Sequence, residues 1–170
     1  MPQTFLWGEA EDGQVGTATG PQWALGGDTW VVGCRIPDTT VFPSYNELNP
    51  DMKDPRYNTE LGIYKEGCGL DNVRFAYGHD EYLYRMLVHN RAKIPEEGLM
   101  MIRLHSCYPW HTGGSYRKLM NEKDKEMEKW VRKFNKFDLY TKADSRPDIP
   151  KLKVYYSKLI DKYLPGKLWW

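Results

Sequence analysis

Four side chains carry the clearest chemical signal in this sequence: His79, Asp80, His105 and Asp138. Read at helical spacing, His105 lies over Met101 and Ile102, and Asp138 shares a stripe with Met127, Val131 and Phe134. A lone carboxylate among apolar neighbours is costly to bury, so Asp138 is expected to be protonated, paired with a cation or bound to a metal. A predicted helix from about Asn72 to Asn90 puts Asp80 on one face with Val73, Ala76, Tyr77, Tyr84, Leu87 and Val88, and His79 at the border of that face. Three helices would thus aim polar groups at one core. Two histidines and a carboxylate are ligands for non-haem iron, and zinc and manganese are also compatible. The plainer alternative is a hydrogen-bonded core pair, such as His105 with Asp138.

The remaining candidates are weaker. His89 falls at a helix end beside Asn90 and Arg91, where a surface cap is the natural role. His111 lies in a turn, close enough to orient something and loose enough to do nothing. Ser106 follows His105 and invites a Ser/His nucleophile, yet adjacent helical residues point about 100° apart and no elbow glycines flank the serine. The run from Arg117 to Lys136 mixes its basic residues with Glu122, Asp124, Glu126 and Glu128, which reads as a solvated helix face and not a nucleic-acid groove.

The elements that must position these groups are mostly helical. Met1 to Gly20 is polar, glycine-rich and without period, and is expected to be a poorly ordered tail. WALGGDTWVVGCRI supplies a short strand or two, followed by an irregular Pro/Asn/Asp-rich loop from Pro37 to Tyr57. Asp71 is the expected N-cap of the first helix. Pro95, Glu96 and Glu97 open a second that runs to about Cys107, with Tyr108-Pro109-Trp110 ending it and Gly113-Gly114 turning the chain. Asn121 with Asp124 resembles a capping box for a long helix carrying Met127, Trp130, Val131, Phe134 and Phe137 up to about Thr141. VYYSKLIDKYL then forms a last helix with Tyr155, Leu159 and Ile160 inward, and the tail GKLWW is expected to pack through its two tryptophans.

Length and composition bound the rest. At 170 residues the chain holds one domain with a real core. A net charge of +1 gives no footprint for nucleic acid or an anionic membrane. Cysteines 34, 68 and 107 are odd in number and widely spaced, against both a disulfide framework and CxxC-type zinc binding, so a reducing cytoplasm is expected. No apolar run is long enough for a membrane span.

Longer words in the sequence add a resemblance. GHDEYLY (78–84), MIRLHSCYPWHTGG (101–114), WVRKFNKFDLYTK (130–142) and LIDKYLPGKLWW (159–170) closely resemble the myo-inositol oxygenase family, as do PQWALGGDTWVVGCR (21–35) and DPRYNTELGIYKEGCGLD (54–71). The resemblance implies a mainly α, HD-domain-like helical bundle with a loop-rich N-terminal segment. It also implies a non-haem di-iron centre and oxygen-dependent ring cleavage of myo-inositol to D-glucuronate, with myo-inositol and dioxygen as the molecules bound. Carried over by position, it makes His79, His105 and Asp138 iron ligands. Gly27, Asp28 and Ser106, with His105 beside them, fall where the family contacts the inositol hydroxyls. Lys142, one turn beyond Asp138, would place a cation near substrate or reduced oxygen, unless it is a solvated helix-end lysine.

The family's remaining ligands, an upstream histidine and a separate His-Asp pair, precede the segment that begins here at Pro21, and Met1 to Gly20 contains no histidine. The expectation is therefore an incomplete bundle, with residues 1–20 an unrelated tail and 21–170 the C-terminal part of an inositol oxygenase domain. Such a chain carries half of a di-iron site and is inactive alone. The alternative is a non-catalytic isoform or paralogue that binds a partner, such as a full-length oxygenase chain.

Overall fold

The computed structural model describes residues 29–138 and 147–170. Gly27, Asp28, Lys142 and the expected tail lie outside the described residues. Within them the chain is the mainly helical bundle that the sequence predicts, with one two-stranded antiparallel ladder. Strand β1 (Val31–Val32) pairs with β2 (Arg74–Phe75), setting Val31 opposite Phe75, and both of those side chains are buried. The connection between them opens with two 3-10 turns, Pro43–Leu48 and Pro50–Lys53. Each opens on proline, whose missing N–H is harmless where a helix would leave it unpaired. The loop closes at Gly62, which has φ +53° and where an added Cβ would lie 1.9 Å from the Gly33 carbonyl oxygen. Only glycine fits both the conformation and the contact.

The first helix is shorter than its sequence pattern. Helix α1 spans His79–His89. The residues expected to form its first two turns are a 3-10 turn at Leu70–Asn72 and then strand β2. Ala76 N–H donates to the Trp30 carbonyl at 2.9 Å, which commits this stretch to the ladder, and Gly78 takes the extended N-cap position. Val73 and Phe75 are buried from outside the helix, while Tyr77 and Val88, expected inward, are exposed.

Helix α2 (Glu96–Leu104) begins after Pro95, which is its N-cap, and ends with His105 as C-cap, two residues before the expected stop at Cys107. Tyr108-Pro109-Trp110 does not simply terminate it. These residues begin a one-turn helix, α3 (Tyr108–His111), with the proline in the first turn where no N–H is needed. The capping box of α4 (Glu122–Asp138) forms as expected. Asn121 N–H donates to Asp124 Oδ2 at 2.9 Å, and Asp124 N–H donates to Asn121 Oδ1 at 3.1 Å. Asp124 Oδ2 also accepts the Leu70 N–H at 3.0 Å, tying α4 to the segment before β2.

Helix α1 packs on α2, and α2 and α3 pack on α4, around a core that includes Val31, Leu104, Trp110, Leu119, Met127 and Val131. Helix α5 (Ile149–Tyr163) stands apart. Tyr155 and Ile160, expected inward, are exposed, and Leu159 is half-buried. The terminal indoles do not pack either, because Trp169 and Trp170 are 70% and 80% exposed. Backbone contacts hold this end: Lys93 N–H reaches the Tyr163 carbonyl at 2.7 Å, and Asn90 exchanges two hydrogen bonds with Trp169. No described helix is long and apolar enough to cross a membrane.

Candidate metal centre

His79 opens α1 and His105 closes α2, so the packing of these two helices brings the imidazoles together. Their Nε2 atoms are 3.0 Å apart, with the rings edge to face at 5.0 Å between centroids. The Nδ1 of His105 lies 2.8 Å from the Ile102 carbonyl oxygen. A carbonyl only accepts, so the proton sits on Nδ1 and Nε2 presents a bare lone pair. This second contact is the one by which metal-binding histidines are oriented. Two nitrogens each about 2.1 Å from one ion and at right angles would be about 3.0 Å apart, so the observed separation suits a shared metal as well as a hydrogen bond. The two nitrogens therefore fit two positions on one metal ion.

The third expected ligand is not drawn into the pair. Asp138 is the last described residue of α4 and is half-buried. No hydrogen bond joins it to His105 among the described residues, so the core-pair alternative does not form there. Nor does any group of three His, Cys, Asp or Glu side chains among the described residues stand close enough to hold a metal. The Met127, Val131, Phe134 stripe does place α4 against the site, and Phe134 meets the His105 ring edge-on at 5.9 Å.

Ser106 is 2% exposed and its Oγ is 3.3 Å from His79 Nε2. Sequence adjacency, which drew attention to His105, gave no hint of this contact with His79. Asp80 is 1% exposed, with Oδ1 accepting the Glu81 N–H at 2.8 Å and Oδ2 without a partner among the described residues. Burial pushes its carboxyl above the usual aspartate range, against the opposing pull of that N–H and of His79 and His105.

Two supports of the site escaped the sequence pattern. His111 is not a loose turn residue but 1% exposed, and its Nε2 lies 2.9 Å from the His105 carbonyl oxygen. Burial pushes its imidazole below the ordinary histidine value. The second is a buried ion pair between the site helices: Arg103 Nε donates to Glu81 Oε2 at 2.7 Å, with the guanidinium 5.0 Å and 4.7 Å from the Phe75 and Tyr84 rings. His89 is exposed at the end of α1, as its position implied.

Comparison with known proteins adds the following. The family model for myo-inositol oxygenase matches residues 15–170. The chain is 58% identical over 151 residues to the inositol oxygenase of Danio rerio, covering 88% of this chain and 54% of that protein. Against the inositol oxygenase of Mus musculus it is 53% identical over 166 residues, 97% of this chain and 54% of that protein. The protein of the same name from Dictyostelium discoideum is 49% identical over 150 residues. The matches reach into the first twenty residues, and the chain spans about half the length of the curated relatives it matches.

Proposed function

Because this chain belongs to the myo-inositol oxygenase family, we propose that His79 and His105, with Asp138, form one part of the iron centre of an inositol-cleaving oxygenase. The observation that carries this reading is the contact of His105 Nδ1 with the Ile102 carbonyl, beside the approach of the two Nε2 atoms. With Nδ1–H committed to Ile102, the Nε2 lone pair faces His79 Nε2 at the distance a common ion requires. Iron, when bound, would supply a Lewis acid for a substrate hydroxyl and a centre for activating dioxygen.

The protein's own residues would do the binding and orienting. Ser106 Oγ, beside His79, is a hydroxyl able to meet a hydroxyl of myo-inositol. Gly27 and Asp28 would add a backbone group and a carboxylate to the same cyclitol, and Lys142 a cation near it. Ring cleavage to D-glucuronate takes up both atoms of dioxygen and releases one water, so substrate must be held with its carbons presented to one side of the centre. Three candidate ligands are fewer than a two-iron centre needs, so this chain would act with ligands supplied from elsewhere. Three free cysteines accord with a reducing, cytoplasmic setting.

One observation favours a second role. Ile149, Tyr156 and Ile160 share one face of α5 and are exposed among the described residues, as is Trp169 in the tail, which suits a partner such as a full-length oxygenase chain. The test is anaerobic reconstitution with Fe(II), admission of oxygen with myo-inositol, and assay of D-glucuronate. It is run on this chain and on a chain carrying the N-terminal half of its relatives. Product from the longer chain alone supports the oxygenase reading. Absence of product from both, with co-purification of this chain and a full-length oxygenase, would favour the binding role instead.

A further inference from the structure

We propose that His111 and Asn135 are positioning residues of the metal centre, gripping the carbonyl oxygen of His105 so that its Nε2 is aimed at His79. The inference rests on the reading of His79 and His105 as iron ligands. His105 caps α2, where the last carbonyls of a helix lack partners within it. Two side chains from two other elements fill both acceptor sites of its carbonyl oxygen: His111 Nε2 from α3 at 2.9 Å and Asn135 Nδ2 from α4 at 3.2 Å. Thr112 Oγ1 lies 3.0 Å from His111 Nδ1, where its hydroxyl can donate and leave the proton of His111 on Nε2, facing the carbonyl. With the backbone of His105 held in this way, its ring reaches back to the Ile102 carbonyl, three residues earlier, and keeps Nε2 bare.

Asn135 has a second effect. It precedes Asp138 by three residues, so the two lie on one face of α4. The bond from Asn135 to His105 therefore fixes the rotation of α4 relative to the histidine pair, and with it the approach of the carboxylate. Neither residue touches the ion in this scheme. Both act through His105.

The experiment compares the parent chain with His111→Leu, Asn135→Asp and His111→Gln. Leucine removes the donor, aspartate replaces it with an acceptor facing an acceptor, and glutamine keeps an N–H at similar reach. Fe(II) alone is titrated anaerobically, and long-range nitrogen-proton NMR of the metal-free chain reads the His105 tautomer. Expected are an affinity loss of about tenfold or more in the leucine and aspartate variants and near-parent affinity in the glutamine variant, as loss of an outer partner of a metal ligand ordinarily gives. The parent should show Nδ1 protonated, and the two disruptive variants a mixture. If His111→Leu does not fold, Asn135→Asp against His111→Gln carries the same comparison. Equal Fe(II) affinity across the set overturns the inference. A parent that takes up no Fe(II) overturns the metal reading instead, and the NMR then decides the clasp, because an unchanged His105 tautomer in the disruptive variants sinks it.

Discussion

Replacing Arg103 by methionine should unlatch the two site helices from each other. Arg103 and Glu81 are 7% and 1% exposed at the side chain and meet at 2.7 Å, two residues before His105 and two after His79. Removing one partner of such a pair strands a buried charge, which costs about 3–5 kcal/mol. The low end applies here. Arg85 still holds Glu81 Oε1 at 2.7 Å, although from a position 58% exposed, and methionine keeps a favourable contact with the Phe75 and Tyr84 rings. A loss of about 3 kcal/mol corresponds to a melting temperature lower by roughly 9 °C for a chain of this size. The double variant Glu81→Leu/Arg103→Met removes the stranded charge as well, and should recover to within about 1.5 kcal/mol of the parent. Urea denaturation followed by circular dichroism measures all three chains. A single variant within about 1 kcal/mol of the parent, or a double variant no better than the single, would refute the reasoning.

Three further outcomes follow from other parts of the structure. Burial raises the Asp124 carboxyl above its ordinary value, so the folded state holds that proton more tightly. Its contribution is fully present below the unfolded value of about 3.9 and is lost as pH rises through the raised one. Stability of the parent relative to Asp124→Asn should therefore fall as pH rises above about 4, and denaturation midpoints that move together as pH rises would contradict this. Burial pushes the Cys34 thiol up to about 12, so iodoacetamide at mildly alkaline pH should label half-exposed Cys68 in the native chain and spare Cys34, as peptide mass mapping would show. Gly62→Ala should cost about 2 kcal/mol or more, since the new Cβ would meet Gly33 O at 1.9 Å and Cys34 Cα at 2.6 Å. A melting curve matching the parent would mean the loop yields freely.

What the sequence disclosed about this fold was mostly local. The Asn121/Asp124 box and the Met127, Val131, Phe134 stripe depend on residues three and four apart, and both are found as read. The placing of His105 on the packed side of α2 was legible for the same reason, and there it is half-buried, whereas His79, its partner from α1, is exposed. Strand β2 was not, because Val73, Ala76 and Tyr77 happen to continue the helical period of α1, and only Gly78 marks the break. Its true partner, Val31, lies far along the chain. The Glu81–Arg103 pair was hidden by the same distance: each is a charged residue on a helix, and nothing nearby reveals that the two meet in the interior. His111 looked loose because a short Pro-containing segment reads as a turn, whereas it closes a helical turn and is buried there. On α5 the pattern promised an inward face with Tyr155, Leu159 and Ile160, yet only Leu159 of these is half-buried, so amphipathicity identified the helix without fixing the side it covers.

The central claim is that His79 and His105 bind one iron through Nε2, and X-ray absorption at the iron edge tests it most directly. The chain is loaded anaerobically with one equivalent of Fe(II), beside His79→Ala and His105→Ala variants. The expected result is imidazole scattering from two histidines at about 2.1 Å in the parent, falling to one in each variant. Iron whose scattering shows no imidazole, or is the same in the parent and both variants, would contradict it.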